Sequence, residues 1–193
     1  MRLSPIEKPR GLLLRASNWL MRRRFGRSIS PFQVIFPRVP RALWAQFGIY
    51  AGLSGRGLPL APELQHVLQQ HTASLNGCSF CIDIGRAMAR YQGLTVEKLD
   101  ATRQWRTSPL FSESERAALR YVEEATLEKR VSDETFAALR HHFDERQIVA
   151  ITWLNAVENY FNLLNVPLGI ESDGLCAIAE ARAPRGSRQR PAA

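Results

Sequence analysis

The sequence predicts an all-α fold, a single-domain helical bundle. Three observations predict it. Apolar residues recur at helical spacing along most of the 193-residue chain, and no pair of alternating segments suggests strands. Helix caps and glycine stops bound the periodic segments. Hydrophobic residues make up 45% of the chain, enough for one sizeable core without covalent staples.

The first helix is expected over roughly residues 10–25, GLLLRASNWLMRRRF. Leu12, Leu13, Trp19, Leu20 and Phe25 make its apolar face, beside Arg15 and Arg22 to Arg24. Such a helix can lie on an anionic membrane or pack on its own domain or a second subunit. The packing reading is the favoured one, because arginine is abundant elsewhere in the chain. Residues 31–41 are a proline-punctuated connector, and helical spacing resumes over 42–53 through Leu43, Trp44, Phe47 and Tyr50. GLSGRGLP, residues 52–59, is a loop. Pro62 suits the first turn of a helix to about Ser74, which Asn76 and Gly77 break.

The next helix runs from about Ser79 to Tyr91 and stops at Gly93, and a short one follows near 95–104. Ser112 and Glu115 form a capping box for 113–128. Ser132 caps 133–142, with Asp133 and Glu134 in the first turn, where the helix dipole favours acids. Asp144 and Gln147 open a long helix to about Leu164, and Pro167 ends the helical run. ARAPRGSRQRPAA, from Ala181 onward, reads as a disordered basic tail. The expected organisation is a basic N-terminal arm (1–41), a helical domain (42–175) and the tail (181–193).

The net charge of +8 belongs to the arms. Residues 1–41 hold ten Lys/Arg against Glu7 alone, and 180–193 hold four Arg against Glu180. The middle, 42–179, holds twelve basic and sixteen acidic residues, which argues against a nucleic-acid groove in the domain. Three cysteines are too few, and odd in number, for a secreted disulfide scaffold, so a cytoplasmic, reducing setting is expected. No apolar run approaches the ~20 residues that span a bilayer. MRRRFGR is followed by SISPFQVIFPRVP, whose prolines spoil a signal segment.

The chemistry concentrates in NGCSFCIDIG, residues 76–85. Cys78 should sit at a helix N-terminus with Cys81 one turn in. Unpaired N–H groups and the dipole there stabilise a thiolate against an ordinary pKa of about 8.5. The spacing lets the sulfurs close a disulfide, and either can resolve a sulfenic acid on the other. Two further readings stand. One is half of a zinc site, although Cys176 and the histidines lack finger-like spacing. The other is a pair of small core residues. The preceding helix carries Val67, Leu68, His71 and Leu75 on one face, with His66 at its edge. Two imidazoles leading into a CxxC make His66 and His71 candidate bases for the thiols.

The segment ELQHVLQQHTASLNGCSFCIDIGRAMARYQGLTVEKL resembles the core helical pair of the carboxymuconolactone decarboxylase superfamily, in its alkylhydroperoxidase D-like branch. TSPLFSESERAALRYVEEAT is similar to the helix that follows there. The resemblance covers about residues 42–175 and leaves the N-terminal arm unaccounted for. It implies a helical bundle of the alkylhydroperoxidase D-like type, assembled as a homo-oligomer and reducing hydroperoxides with its dithiol. The family's pattern is Glu, eleven residues, Cys, two residues, Cys, three residues, His. Cys78 and Cys81 match the cysteines, while His66 stands at the Glu position and Gly85 at the His position.

Two accounts of that departure are open. His66, or His71, is the base moved to the other end of the relay, or the relay is lost and a slower thiol–disulfide oxidoreductase remains. The resemblance implies Cys81 as the peroxidatic sulfur and Cys78 as the resolving one, whereas helix-end physics alone favours Cys78 as the more acidic. The family's decarboxylase branch does not rely on a CxxC, so the cysteines weigh against it.

The long helix after Asp144 is apolar on most sides but carries one polar stripe, Asn155, Glu158, Asn159 and Asn162. The stripe reads as the wetter face; the sharper reading turns Glu158 or an Asn toward the dithiol. Cys176 is an idle thiol or a third redox partner. No metal, flavin or nucleotide site is evident, and no cofactor is expected. The expected partners are a small hydroperoxide, an external dithiol reductant and further copies of the chain. The alternative is a non-enzymatic helical interaction module, membrane-proximal through residues 10–25.

Overall fold

The computed structural model describes residues 1–53 and 57–182. Among them the regular elements are all helical: α1 (Leu12–Phe25), α2 (Ser30–Val34), α3 (Ala42–Leu53), α4 (Pro62–Leu75), α5 (Ser79–Tyr91), α6 (Glu97–Asp100), a 3-10 turn (Ala101–Gln104), α7 (Glu113–Leu127), α8 (Asp133–His142), α9 (Glu145–Asn165) and α10 (Leu175–Arg182). None of these helices is long and apolar enough to cross a membrane.

The caps form as their residue types require. Ser112 Oγ accepts the Glu115 N–H at 3.3 Å, and the Glu115 carboxylate accepts the Ser112 N–H at 2.9 Å. Asp144 and Gln147 make the same reciprocal pair at 2.8 and 3.0 Å. Ser132 Oγ accepts the Thr135 N–H at 3.2 Å. Each side-chain cap satisfies an orphan donor of the first turn, worth about 1 kcal/mol.

Helix α4 lies at the centre, packed against α5, α7 and α9, and α10 lies along α5. The core divides into two clusters. One joins Val67, Leu68, Leu119, Val122, Leu139, Ile151 and Leu154 from α4, α7, α8 and α9. The other joins Leu14, Phe25, Phe32, Val34, Leu43, Phe80 and Leu175 from α1, α2, α3, α5 and α10, and it includes both CxxC cysteines.

The connector expected over 31–41 is in part the short helix α2, with Phe32, Val34, Ile35 and Phe36 buried in the second cluster. Pro31, read as a breaker, opens that helix at its first turn, where no N–H is needed. A helix also lies beyond the predicted end of the helical run. Asp83, buried on α5, builds the start of α10 by accepting the Leu175 and Cys176 N–H groups at 2.8 Å and the Ser172 hydroxyl at 2.9 Å. Asp173 does the same for α2, accepting the Ser30 N–H at 2.7 Å and its hydroxyl at 2.8 Å. Both helices are made by long-range carboxylates, which local patterning does not reveal.

The apolar face expected on α1 splits. Leu14 and Phe25 are buried, together with Ser17 and Asn18, whereas Leu12 is 83% and Trp19 60% exposed. Asn18 turns inward because its side-chain oxygen accepts the Ser28 hydroxyl at 2.6 Å. The expected loop at 52–59 lies partly, and the expected tail mostly, outside the described residues; Ala181 and Arg182 close α10.

Candidate functional site

Helix α4 ends at Leu75 with Asn76 as its C-cap, and Gly77 takes φ +66°, the left-handed conformation that suits glycine, to turn the chain into α5. Cys78 is the N-cap of α5, and its sulfur accepts the Cys81 N–H at 3.3 Å. The two sulfurs are joined as a disulfide, with Cα atoms 5.3 Å apart. They are not equivalent. Cys78 has no exposed surface, while Cys81 is 7% exposed and lines two adjoining cavities.

The narrower cavity, of about 60 Å³, lies among Phe32, Phe36, Phe80, Cys81, Glu158 and Asn165. The wider one, of about 850 Å³, is mainly apolar, with Phe25, Phe32, Phe47, Met88 and Phe161 on its walls. Its polar lining includes Gln69 and Gln70 from α4, Gln46 and Glu158, and, toward the C-terminal end of α5 and away from Cys81, His66 with its partner Gln92. A concave apolar space with a few convergent polar groups is the usual form of a small-molecule site.

Glu158 reaches this space from α9 and is only 6% exposed. Its Oε1 accepts from Asn162 Nδ2 at 2.8 Å, and Asn162 Oδ1 in turn accepts from Asn76 Nδ2 at 2.8 Å. Burial pushes the carboxyl up to about 7, against the smaller downward pull of the Asn162 hydrogen bond. One turn on, Asn165 Nδ2 donates to Cys81 Sγ at 3.4 Å. Gln70 Oε1 and Asn165 Oδ1 are buried and have no hydrogen-bond partner among the described residues. The predicted wet stripe of α9 is thus its inward face: Asn155, Glu158 and Asn162 are buried, and Asn159 is half-buried. Asn155 accepts from Thr72 of α4 and Thr126 of α7.

The histidines of α4 part company. His66 lines the wider cavity, where burial lowers its pKa and a hydrogen bond with Gln92 opposes that. His71, one and a half turns on, packs edge-on against Trp105 in the first cluster, with Nε2 3.3 Å from Glu123 Oε2. It lines neither cavity that Cys81 borders. Burial outweighs Glu123 and lowers its pKa.

Gly85 lines the wider cavity opposite Gln70; a Cβ there would sit 3.2 Å from Gln70 Oε1, so a larger residue needs that side chain to yield. Cys176 is a half-buried free thiol in the first turn of α10. Among the described residues, no group of three or more His, Cys, Asp and Glu side chains is placed to hold a metal.

Fold and site together define an all-helical protein of the alkylhydroperoxidase D-like class, with a CxxC at a helix N-terminus facing an interhelical cavity. The chain belongs to the carboxymuconolactone decarboxylase family, whose model matches residues 40–124. It is 32% identical to YnjA of Escherichia coli K12, an uncharacterized protein, over 94% of this chain and all of that one. YdfG of Bacillus subtilis 168, also uncharacterized, is 32% identical over 54% of this chain and 73% of its own length.

A protein of unknown function from Agrobacterium tumefaciens, provisionally ascribed to AhpD-type antioxidant defence, superposes with a TM-score of 0.64 at 28% identity, covering 72% of this chain and 96% of that one. A peroxidase-related protein from Ralstonia eutropha JMP134 gives 0.73 at 19% identity, covering 95% and 100%. The debrominase Bmp8, solved with 2,3,4-tribromopyrrole, gives 0.76 at 17% identity, covering 94% and 96%. The last two likenesses speak to the fold alone.

Proposed function

We propose that the protein is a thiol-dependent peroxidase. The reduced Cys81 attacks a hydroperoxide in the wider cavity, forming an S–O bond as the O–O bond breaks and an alcohol leaves. Cys78 then attacks the Cys81 sulfenic acid, forming the S–S bond and releasing water. An external dithiol returns the pair to the reduced state. The observation that carries this reading is the unequal exposure of the two sulfurs: Cys81 borders both cavities and Cys78 is enclosed. His66, whose imidazole burial keeps neutral on the wall of the wider cavity, serves to orient the bound hydroperoxide by hydrogen bonding.

Mixing the reduced chain with tert-butyl hydroperoxide should consume two thiols per chain as one Cys78–Cys81 disulfide. Cys78→Ser should stop at a Cys81 sulfenic acid that dimedone captures, and Cys81→Ser should be inert. A Cys81→Ser chain oxidised as fast as its parent would overturn the assignment. The partner expected in addition is a second copy of the chain, meeting the apolar residues exposed on α3, Trp44 and Phe47. Sedimentation equilibrium with Trp44→Ser as control reads that directly.

A further inference from the structure

The cavity at Cys81 holds an ionisable group from the far end of the chain, and we propose that the Glu158 carboxylate takes the proton from the Cys81 thiol and delivers it to the departing alkoxide. This rests on the peroxidase reading and assigns the proton transfer at the sulfur itself.

Four observations support it. Glu158 and Cys81 share the walls of both cavities, although they stand on different helices. The narrower cavity, at about 60 Å³, accommodates a water molecule between such walls. Asn162 fixes one carboxyl oxygen at 2.8 Å, and Asn162 is itself held by Asn76, two residues before Cys78. The carboxyl has no cationic partner within ion-pair distance among the described residues, so it is not half of a structural salt bridge. A buried carboxyl without a counter-ion is costly when charged, which is why burial raises its pKa to about 7. A group poised there both accepts and returns protons at neutral pH.

The balance closes without a further reactant. The thiol proton moves to the carboxylate, and the thiolate attacks the terminal hydroperoxide oxygen. The S–O bond forms as the O–O bond breaks, and the alkoxide leaves with the proton from Glu158. Sulfur is oxidised, the hydroperoxide is reduced to alcohol, and Glu158 ends as it began. Among the described residues, the other ionisable groups on the cavity walls are His66 of α4 and Arg24 of α1, and the polar side chain that α2 and α3 contribute there is Gln46.

The test is the rate of thiol loss in the reduced full-length chain with tert-butyl hydroperoxide, from pH 5 to 9. The parent should show an inflection near pH 7. Glu158→Gln, which can still accept from Asn162, should fall by roughly 10²-fold or more and keep only the pH dependence of a free thiol, near about 8.5. His66→Ala should retain the inflection near neutrality. Asn162→Ala, which removes the bond that holds the carboxyl down, should move the inflection to higher pH.

A Glu158→Gln chain that matches the parent in rate and inflection overturns the proposal. If that variant does not fold, an inflection left in place by Asn162→Ala overturns it instead. Cys81→Ser run alongside separates the two readings. A parent as inert as Cys81→Ser defeats the peroxidase itself. A fast parent, an inert Cys81→Ser and an unimpaired Glu158→Gln defeat only the carboxylate.

Discussion

The two hydrophobic clusters are built by different means. The first, around α4, α7, α8 and α9, packs buried aliphatic side chains such as Leu68, Leu119, Leu139 and Ile151 between helices of which α7, α8 and α9 carry their own side-chain N-caps. The second, around α1, α2, α5 and α10, contains the sulfurs, borders both cavities and is fastened by buried carboxylates reaching across the chain. The first therefore supplies stability from local rules, and the second holds a reactive, partly hollow site together with polar ties. Helix α9 belongs to both, presenting Ile151 and Leu154 to one and Glu158 and Asn165 to the other.

That division can be broken most forcefully from the first side. Leu119→Ala empties a site with no exposed surface and should lower stability by about 2–5 kcal/mol, read from denaturant midpoints. The oxidation rate per folded molecule should stay within about threefold of the parent. A loss of rate comparable to that of Glu158→Gln would show that the clusters are not separable.

The next effect is a pH dependence of stability that originates in the second cluster. Glu158 rises on folding from about 4.5 to about 7. A raised carboxyl contributes stability that is fully present below its unfolded pKa and is lost as pH rises through the folded one. The loss falls between pH 4.5 and 7 and is no more than roughly 3 kcal/mol. His66 and His71, lowered by burial, act in the opposite sense: their contribution is present above about 6.5 and lost as pH falls. Subtracting the stability curve of Glu158→Gln from that of the parent isolates the carboxyl. The variant should be the more stable protein above pH 7, and a flat difference curve would contradict this.

A smaller effect concerns the ties. Asp83→Ala removes the acceptor of two N–H groups and a hydroxyl at the head of α10. Destabilisation of about 1–3 kcal/mol is expected from the unpaired donors. Because Cys176 donates one of those N–H groups, its thiol should react faster with a bulky maleimide. Unchanged labelling would mean that α10 is held by packing alone.

The same division governs what the sequence made legible. The capping residues Ser112, Ser132 and Asp144, the glycine turn at 77 and the CxxC at the start of α5 follow from neighbours within four residues, and they are found as patterned. α2 and α10 depend on Asp173 and Asp83, far from the helices they cap, so a local reading gave a connector and an end. The stripe Asn155, Glu158, Asn162 was visible as polar residues at helical spacing on an otherwise apolar helix. Its direction was not, since a polar face turns inward only when partners such as Thr72, Asn76 and Thr126 await it. Gln70 and Asn165, whose side-chain oxygens have no partner among the described residues, had no sequence signal at all. His66 and His71 looked alike in sequence, yet five helical positions carry a side chain some 500° around the axis, from the cavity to the Trp105 side.

The smallest effect tests whether local rules in the first cluster stay local. Ser112→Ala deletes the acceptor of the Glu115 N–H but leaves the α7 packing face, Leu119 and Val122, untouched. About 1 kcal/mol should be lost. The reciprocal bond from the Ser112 N–H to Glu115 survives in the variant, which holds the loss near the lower end for such caps. Glu115 is also held by Lys98 at 2.7 Å, so the first turn keeps a second anchor. Native-state hydrogen exchange should speed up in the first turn of α7 and nowhere around Cys81. Faster exchange at the Cys81 amide, which is held by the Cys78 sulfur, would mean that a cap on α7 is felt across α4, and the two clusters would then have to be treated as one.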